Sequence, residues 1–459
     1  GNMYSIHTFL LQKELFRSSE PVKTSVVSSF TDTPALQQIA RQADSDYILF
    51  YTGTSPIELH PYAIGRMYQI AESNDGALFY SDYQEIRQGK KIHHPTLEYQ
   101  TGSIRNDFDF GQLLLFRNDS FQQVVAQMNT DYRFAALYEL RLSISRLGKI
   151  VHIPETLYTV QPTDLRLSGE KQFDYVDPAN REVQLEMEAV CTAHLQAIGA
   201  WLAPEFQRID FGQENFAREA SVIIPVRNRK RTIAEAVESA LQQQTDFSFN
   251  VIVVDNHSTD GTGQILTELS RRYPNLIHHI PASTELGIGG CWTEAILLPE
   301  CGKFAIQLDS DDLYKDCHVL QRIVDTFYQE NCAMVIGSYQ MVDFKLEEIP
   351  PGLIAHREWT PDNGRNNALR INGLGAPRAF YTPVLRQIKF PNVSYGEDYA
   401  TALAISRKYP IARIYDPLYL CRRWEENSDH DLDIQQLNNY NFYKDKIRTL
   451  EIQARISGK

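Results

Sequence analysis

Phe304-Ala-Ile-Gln-Leu-Asp309-Ser-Asp311-Asp312-Leu-Tyr314 is an apolar run that ends in three carboxylates within four residues. Its Ala, Ile and Leu residues read as a buried strand. Acids at the carboxyl end of such a strand lie where open α/β sheets place ligands. Three carboxylates that close repel one another, and a hard divalent cation relieves the repulsion through oxygen ligands. Mg²⁺ uses only one or two protein carboxylates and completes its shell with substrate phosphates. The stretch therefore points to a metal–diphosphate site. An acidic turn capping the helix after Tyr314 accounts for the same residues.

Upstream of this stretch the pattern is strand, helix, strand, helix. Ala220 to Pro225 is a strand that stops at proline, and Val226-Arg-Asn-Arg-Lys-Arg231 follows it. A helix is expected over 232–243, with Thr232 and Glu235 at the spacing of a capping box. Asn250 to Asp255 is the next strand, ending in Asp255-Asn-His-Ser-Thr-Asp-Gly261, and a helix is expected over 262–273. Polar residues at each strand's carboxyl end make this half of a nucleotide-binding doubly wound sheet. Neither GxGxxG nor GxxxxGK[ST] occurs, so a dinucleotide fold is not indicated and a P-loop is excluded. Leu286-Gly-Ile-Gly-Gly290 before a helix at 292–298 is either a glycine cradle for an anion or a plain turn.

Four motifs in order, Ser221-Val-Ile-Ile-Pro-Val-Arg-Asn228, Val253-Val-Asp-Asn-His-Ser-Thr-Asp-Gly-Thr262, Leu308-Asp-Ser-Asp-Asp312 and Gly396-Glu-Asp398, resemble family 2 glycosyltransferases over residues 219 to about 430. The resemblance implies an inverting enzyme with the GT-A fold, a doubly wound α/β sheet. By position it implies that Pro225, Val226, Arg227, Asn228, Asp255, Asn256, Asp309 and Ser310 bind the nucleotide. Asp309 and Asp311 correspond to the DxD pair for Mn²⁺ or Mg²⁺, and Asp398 to the general base. Glu397, Arg422, Arg423 and Trp424 would meet acceptor or diphosphate; a helix cap at 397–398 and a surface arginine explain the same residues. The implied reaction moves one sugar from a nucleoside diphosphate sugar, a UDP-sugar favoured, to a hydroxyl of a glycan or lipid-linked glycan, in polysaccharide biosynthesis. Arg227 stands where the family often has Tyr, and Asn256 where it often has Asp. Leu420-Cys-Arg-Arg-Trp424 lacks the Gln that opens the QxxRW motif of processive synthases, which favours single addition. A non-catalytic carbohydrate-binding or scaffolding protein is the alternative; retention of all the acids argues against it. A sugar-phosphate nucleotidyltransferase needs a glycine-rich basic loop after the first strand, and Pro225 to Arg231 has no glycine.

The first half holds a hidden repeat. Residues 134–158 align without gaps on 395–419, an offset of 261 (398 − 137), with nine of 25 pairs identical. Tyr47 to Ser55 falls on Phe304 to Asp312, and Ala77 to Tyr83 on Ala333 to Tyr339. The chemistry is absent from this copy. Thr52 and Thr54 stand at Asp309 and Asp311, and Ala136 and Leu137 at Glu397 and Asp398. Too few residues precede its first strand, placed at 23–29, for the two strands and two helices of 219–275. The expected organisation is a truncated GT-A-like domain without catalytic acids over 1–165, a helical linker over 166–218, the catalytic domain over 219–430 and a C-terminal helix over 431–459. The truncated domain is read as structural or acceptor-binding.

The chain of 459 residues is 43% hydrophobic and carries a formal charge of −13. That charge argues against a general nucleic-acid binder, which shows a basic face. Six scattered cysteines without a CxxC pair read as reduced thiols of a cytoplasmic protein. No run approaches a membrane span and no signal peptide is visible at Gly1-Asn-Met3, which leaves room only for peripheral membrane contact.

Overall fold

The computed structural model describes residues 3–162, 180–424 and 433–459. They divide into two compact units, one of residues 3–162, 180–201 and 433–459, the other of 202–424.

The first unit contains β1 (Ile6–Leu10), β2 (Lys23–Val26), α1 (Thr33–Gln42), β3 (Tyr47–Tyr51), β4 (Glu58–Leu59), α2 (Ala63–Glu72) and β5 (Gly76–Arg87). It continues with β6 (Lys90–His94), β7 (Leu113–Arg117), α3 (Asn118–Ala126), α4 (Ala136–Leu147), β8 (Lys149–Val160) and α5 (Arg181–Ile198). The second unit contains β9 (Ala220–Val226), α6 (Ile233–Leu241), β10 (Phe249–Asp255), α7 (Thr262–Arg272), β11 (Leu276–His279), α8 (Ile288–Leu297), β12 (Phe304–Gln307) and β13 (Leu313–Tyr314). After these come α9 (Val319–Glu330), β14 (Met334–Val342), β15 (Glu348–Ile354), α10 (Gly364–Asn367), β16 (Arg378–Tyr381), α11 (Thr382–Ile388), α12 (Glu397–Ser406) and β17 (Ile411–Arg422). The chain closes with α13 (Ile434–Ile456), which belongs to the first unit.

The two sheets share one plan. Strand order is β2-β1-β3-β7-β5-β8-β4 in the first and β11-β10-β9-β12-β16-β14-β17-β13 in the second. The register repeats as well. Leu78 pairs with Ile150 and Phe79 with Val151, as Met334 pairs with Ile411 and Val335 with Ala412. Ile6 pairs with Tyr47 as Ala220 pairs with Phe304. Central strands such as Tyr47–Tyr51 and Phe304–Gln307 are buried along their whole length, as expected of apolar strands covered on both faces; Gln307 is the one polar residue of the second.

The expected absence of two strands from the first unit is corrected. β1 and β2 occupy the places of β9 and β10, joined by a short 3-10 turn at Lys13–Leu15 where the second unit has α6. What the first unit lacks, among the described residues, is the counterpart of α7 and β11: α1 is the single helix between β2 and β3, where the second unit has α7, β11 and α8 between β10 and β12. β1 escaped the pattern because His7 and Thr8 interrupt its apolar residues; both are buried, and His7 reaches Ser25 Oγ at 2.8 Å on β2.

The helical linker expected over 166–218 is also corrected where it is described. Glu186 on α5 accepts the backbone N–H groups of Arg133, Phe134 and Ala135, at 2.9, 3.0 and 3.3 Å, at the N-terminus of α4. A carboxylate there satisfies orphan donors and meets the positive end of the helix dipole. α5 is thus part of the first unit, and residues 202–218 part of the second. Residues 163–179 of that expected linker lie outside the described residues.

α13 packs into the first unit through polar groups. Asp445, wholly buried, accepts from Arg105 Nε at 3.0 Å, Ser103 Oγ at 3.0 Å and Arg448 Nη1 at 2.9 Å, and Thr449 Oγ1 accepts the Gly102 N–H at 2.8 Å. Removing one member of a buried ion pair strands the other charges. Asp445→Ala is expected to cost the first unit about 3–5 kcal/mol, read as a lower urea midpoint by circular dichroism; an unchanged midpoint contradicts this account.

His152 on β8 lies between two acids, with Nε2 2.8 Å from Asp82 Oδ1 and Nδ1 2.7 Å from Glu98 Oε1. Burial lowers its basicity, but the hydrogen bonds to Asp82 and Glu98 outweigh that and raise its pKa. A raised folded-state pKa contributes stability below the free imidazole value, near pH 6.5, and loses it as pH rises through the folded value. His152→Gln is therefore expected to flatten the pH dependence of melting temperature above about pH 6.5. A parallel curve for the variant contradicts this.

Candidate active site

The carboxyl end of β12 and the start of β13 carry Asp309, Ser310, Asp311 and Asp312, and β17 clamps them. Leu313 pairs with Leu420 and Tyr314 with Tyr419. The Asp309 N–H donates to Tyr419 Oη at 3.0 Å, and Tyr419 Oη donates to Asp312 Oδ2 at 2.7 Å. Asp312 Oδ1 accepts the Arg422 N–H at 3.0 Å, and Arg422 Nε donates to the Asp311 carbonyl at 2.7 Å. Burial, then the charges of Asp311 and Asp309, push the Asp312 carboxyl well above the usual range. Asp312 is an internal brace of the loop. Asp311 also rises, through burial and then Asp309, while Trp424 Nε1 lies 3.2 Å from its Oδ2. Asp309 and Asp311 are both half-buried.

Trp424 stands in an aromatic and cationic group. The guanidinium carbons of Arg229 and Arg231 lie 5.6 and 5.2 Å from its ring centre, and Phe344 packs edge-on at 5.3 Å. Arg422 lies 5.0 Å above Phe344 and pairs with Glu235 at 3.3 Å. Arg423 donates its N–H to the Val342 carbonyl at 2.9 Å. The capping box expected from Thr232 and Glu235 does not form. Thr232 Oγ1 donates instead to the Ser310 carbonyl at 3.0 Å, and Glu235 serves Arg422, so both residues brace the acidic loop.

The ends of β9 and β10 lie side by side, Pro225 paired with Val254 and Val226 with Asp255. Their loops are stitched together. Asn228, at φ 53°, donates its N–H to Ser258 Oγ at 2.9 Å and accepts from the Thr259 N–H at 2.7 Å. Asp255 is buried, with Oδ2 3.0 Å from His278 Nε2 and Oδ1 accepting the Ser258 N–H at 3.1 Å. Asn256 donates to the Leu286 carbonyl at 2.8 Å, and its buried Oδ1 has no hydrogen-bond partner. Arg227 is exposed, Pro225 half-buried and Val226 buried.

The Leu286–Gly290 turn is no anion cradle. Gly287 N–H donates to Asn392 Oδ1 at 2.7 Å and Gly289 N–H to the Val393 carbonyl at 2.9 Å. A Cβ on Gly289 would strike the Pro391 carbonyl. The glycines let α8 approach the 391–394 segment.

α12 opens with Glu397 and Asp398 after Gly396, whose φ of 82° favours glycine. Arg378 Nη1 lies 3.1 Å from Asp398 Oδ2 and donates to the Gly375 carbonyl at 2.7 Å. The Arg378 N–H donates to Gln307 Oε1 at 2.9 Å, and Gln307 Nε2 donates to Asp309 Oδ1 at 3.0 Å. Two side chains, Gln307 and Arg378, thus join the acidic loop to Asp398. Burial opposes the Arg378 charge, but Asp398, Asp309 and Glu397 raise its pKa. Glu397 is buried, and burial followed by the Asp398 charge pushes it up to about 8. Its Oε2 has no hydrogen-bond partner.

Gln307, Arg378, Tyr419, Arg229 and Arg231 were not expected from the sequence. Gln307 is the one polar residue of its strand, and Arg378 the charged first residue of an apolar one. A polar group on a buried strand beside an acidic motif was the available signal.

Among the described residues no three His, Cys, Asp or Glu side chains are grouped as a metal cluster. The donor set nonetheless suits Mn²⁺ or Mg²⁺, which need only one or two carboxylates when diphosphate oxygens supply the rest. Asp309 and Asp311, half-buried on the turn between β12 and β13, are the carboxylates that would hold the ion.

The two sheets have the plan of a GT-A-like fold, the second unit preceded by a GT-A-like domain at the N-terminus. Residues 221–388 match the family model described as Glycosyl transferase family 2. An uncharacterized glycosyltransferase of Nostoc sp. is 32% identical over 123 residues, covering 27% of this chain and 37% of the relative. The poly(ribitol-phosphate) beta-glucosyltransferase of Bacillus spizizenii is 24% identical over 230 residues, 49% of this chain and 35% of the relative. The matched segments therefore span little more than a third of these relatives' length. S. aureus TarS 1–349, solved with UDP-GlcNAc, is 22% identical with a TM-score of 0.39, covering 52% of this chain and 72% of that one. No helix among the described residues is long and apolar enough to cross a membrane.

Proposed function

We propose that the second unit transfers a single sugar from a nucleoside diphosphate sugar, a UDP-sugar favoured, to a hydroxyl of a glycan or lipid-linked glycan, with inversion. The observation that supports this is the bonded path Asp309–Gln307–Arg378–Asp398, through the backbone N–H and then the guanidinium of Arg378, which links a donor-side acid to a base candidate. Pro225, Val226, Arg227, Asn228, Asp255 and Asn256 take the nucleoside, with the buried, unpartnered Asn256 Oδ1 ready to accept from it. Asp309 and Asp311 hold Mn²⁺ or Mg²⁺, and the bound cation supplies Lewis-acid stabilisation of the leaving diphosphate. Ser310 braces the loop, and Arg422, Arg423 and Trp424 face the diphosphate side. Asp398 accepts the proton of the acceptor hydroxyl, and Glu397, protonated near neutrality, donates a hydrogen bond to the acceptor.

The first unit takes no part in the chemistry in this reading. At its corresponding mouth a Cβ on Gly53 would strike Gln112 and Tyr51, and one on Gly111 would strike Tyr158. None of the six cysteines is joined in a disulfide, which supports a cytoplasmic protein that reaches any membrane-borne acceptor peripherally.

The test is release of nucleoside diphosphate from UDP-, GDP-, CDP- and dTDP-sugars with Mn²⁺. Acceptors should include neutral glycans and, because of the Bacillus relative's name, a ribitol phosphate polymer. Acceptor-dependent release from one donor is expected. Binding of a diphosphate with no release under any pairing would instead favour a carbohydrate-binding protein.

A further inference from the structure

We propose that Gln307 and Arg378 are positioning residues that tie Asp309 to Asp398, with Arg378 holding Asp398 ionised and aimed while the site awaits substrate. The proposal rests on the reading of Asp398 as base. Three carboxyl groups from two places act on the one guanidinium: Asp309 after β12, and Glu397 and Asp398 at the start of α12. Carboxylates sharing a site cannot all stay ionised without a cation, and the one that yields takes a proton. A base that has already taken a proton is no base. Arg378 directs that outcome, because its direct contact, at 3.1 Å, is with Asp398.

Arg378 is held at both its side chain and its backbone. Its guanidinium Nη1 also donates to the Gly375 carbonyl at 2.7 Å, and its backbone N–H donates to Gln307 Oε1 at 2.9 Å. Gln307 is 1% exposed, and its amide spends its oxygen on Arg378 and its nitrogen on Asp309. The orientation of that amide is the one the two partners require, since a carboxylate needs a donor and an N–H an acceptor.

The first unit supplies an independent observation. Leu49 pairs with Leu115 and Phe50 with Leu114, as Ile306 pairs with Ala379 one step before Gln307 and Arg378. Phe50 therefore stands at Gln307 and Leu114 at Arg378. With Thr52 at Asp309 and Leu137 at Asp398, all four members of the path are replaced in the copy that lacks the chemistry. The same sheet forms there with two apolar residues, so building the sheet does not require Gln307 or Arg378. Their place is in the site.

In the reaction the acceptor oxygen forms a bond to the anomeric carbon while the carbon–diphosphate bond breaks. The electron pair leaves with the diphosphate, and the acceptor proton goes to an Asp398 oxygen. Arg378 exchanges no proton; it fixes which carboxyl receives one.

The test compares Arg378→Gln, Arg378→Lys and Gln307→Leu with the parent. Arg378→Gln should lower kcat, leave nucleoside diphosphate affinity unchanged and move the acid limb of the pH–rate profile upward by about one unit or more. Arg378→Lys should restore part of the shift, and Gln307→Leu should move the limb the same way by less. An unmoved acid limb in both Arg378→Gln and Gln307→Leu overturns the proposal. A melting-temperature cycle decides it without turnover. Arg378→Gln should destabilise the parent and cost much less in the Asp398→Asn background, whereas equal costs in the two backgrounds overturn it. A parent that turns over no donor counts against the transferase reading alone, and the cycle still decides the Arg378–Asp398 link.

Discussion

Asp398→Asn is expected to abolish sugar transfer while leaving nucleoside diphosphate binding intact. An acceptor hydroxyl is a weak nucleophile at neutral pH, and a positioned base contributes about 10²–10⁴-fold. Asparagine keeps the shape and can still meet Arg378, but it cannot take the proton. The donor-side groups are braced independently of it, Asp309 through Tyr419 and Gln307, Asp312 through Tyr419 and Arg422. The loss should therefore appear in kcat, because the missing interaction belongs to the transition state. Diphosphate binding by calorimetry, beside single-turnover transfer, checks both halves. Retained transfer, or binding lost in step with transfer, removes Asp398 from the role of base.

Asp311→Asn is expected to weaken diphosphate binding only when Mn²⁺ is present. The charge on Asp311 is disfavoured by burial and by Asp309, so in the metal-free protein its removal relieves more than it costs. With metal it removes a charged ligand. Loss of an outer partner of a metal ligand already costs about 10–100-fold in affinity, and loss of the ligand itself should reach at least that range. The same substitution also leaves the Trp424 contact open to the asparagine oxygen, so the loop should keep its shape. Titration of the diphosphate into parent and variant, each with Mn²⁺ and with EDTA, separates the cases. An equal loss with and without metal contradicts the assignment of Asp311 as ligand.

Much of this was legible in the sequence because the fold places motif residues at strand ends. Phe304–Gln307 and Asn250–Asp255 announce themselves as apolar runs, and the acids that follow them fall where a doubly wound sheet gathers its ligands. The repeat was legible for the same reason: buried positions of β5, β8 and α4 tolerate few residue types, so their offsets survive as sheet register. What did not show was anything that depends on pairing distant strands. Gln307 and Arg378 are 71 residues apart, and only the antiparallel register of β12 and β16 brings them together. Thr232 looked like a cap because its neighbours fit one; the competing acceptor, the Ser310 carbonyl, is distant in sequence. β1 and β6 do not show in the sequence because polar side chains interrupt one and charged residues fill the other, and neighbouring strands rather than local pattern fix both. α5 reads as a linker because its ties to α4, through Glu186 and through His194 Nδ1, 2.7 Å from Arg146 Nη1, join residues distant in sequence.

The central claim is that Asp309, Asp311 and Asp398 serve one bound donor. Crystals grown with Mn²⁺ and the nucleoside diphosphate that stabilises the protein most would show it by anomalous diffraction at the manganese edge. The account predicts a manganese peak bonded to the Asp311 carboxylate and to diphosphate oxygens, with Asp398 facing the same cavity. A peak bound away from both Asp309 and Asp311, or a diphosphate seated where Asp398 cannot reach the sugar it would carry, contradicts it.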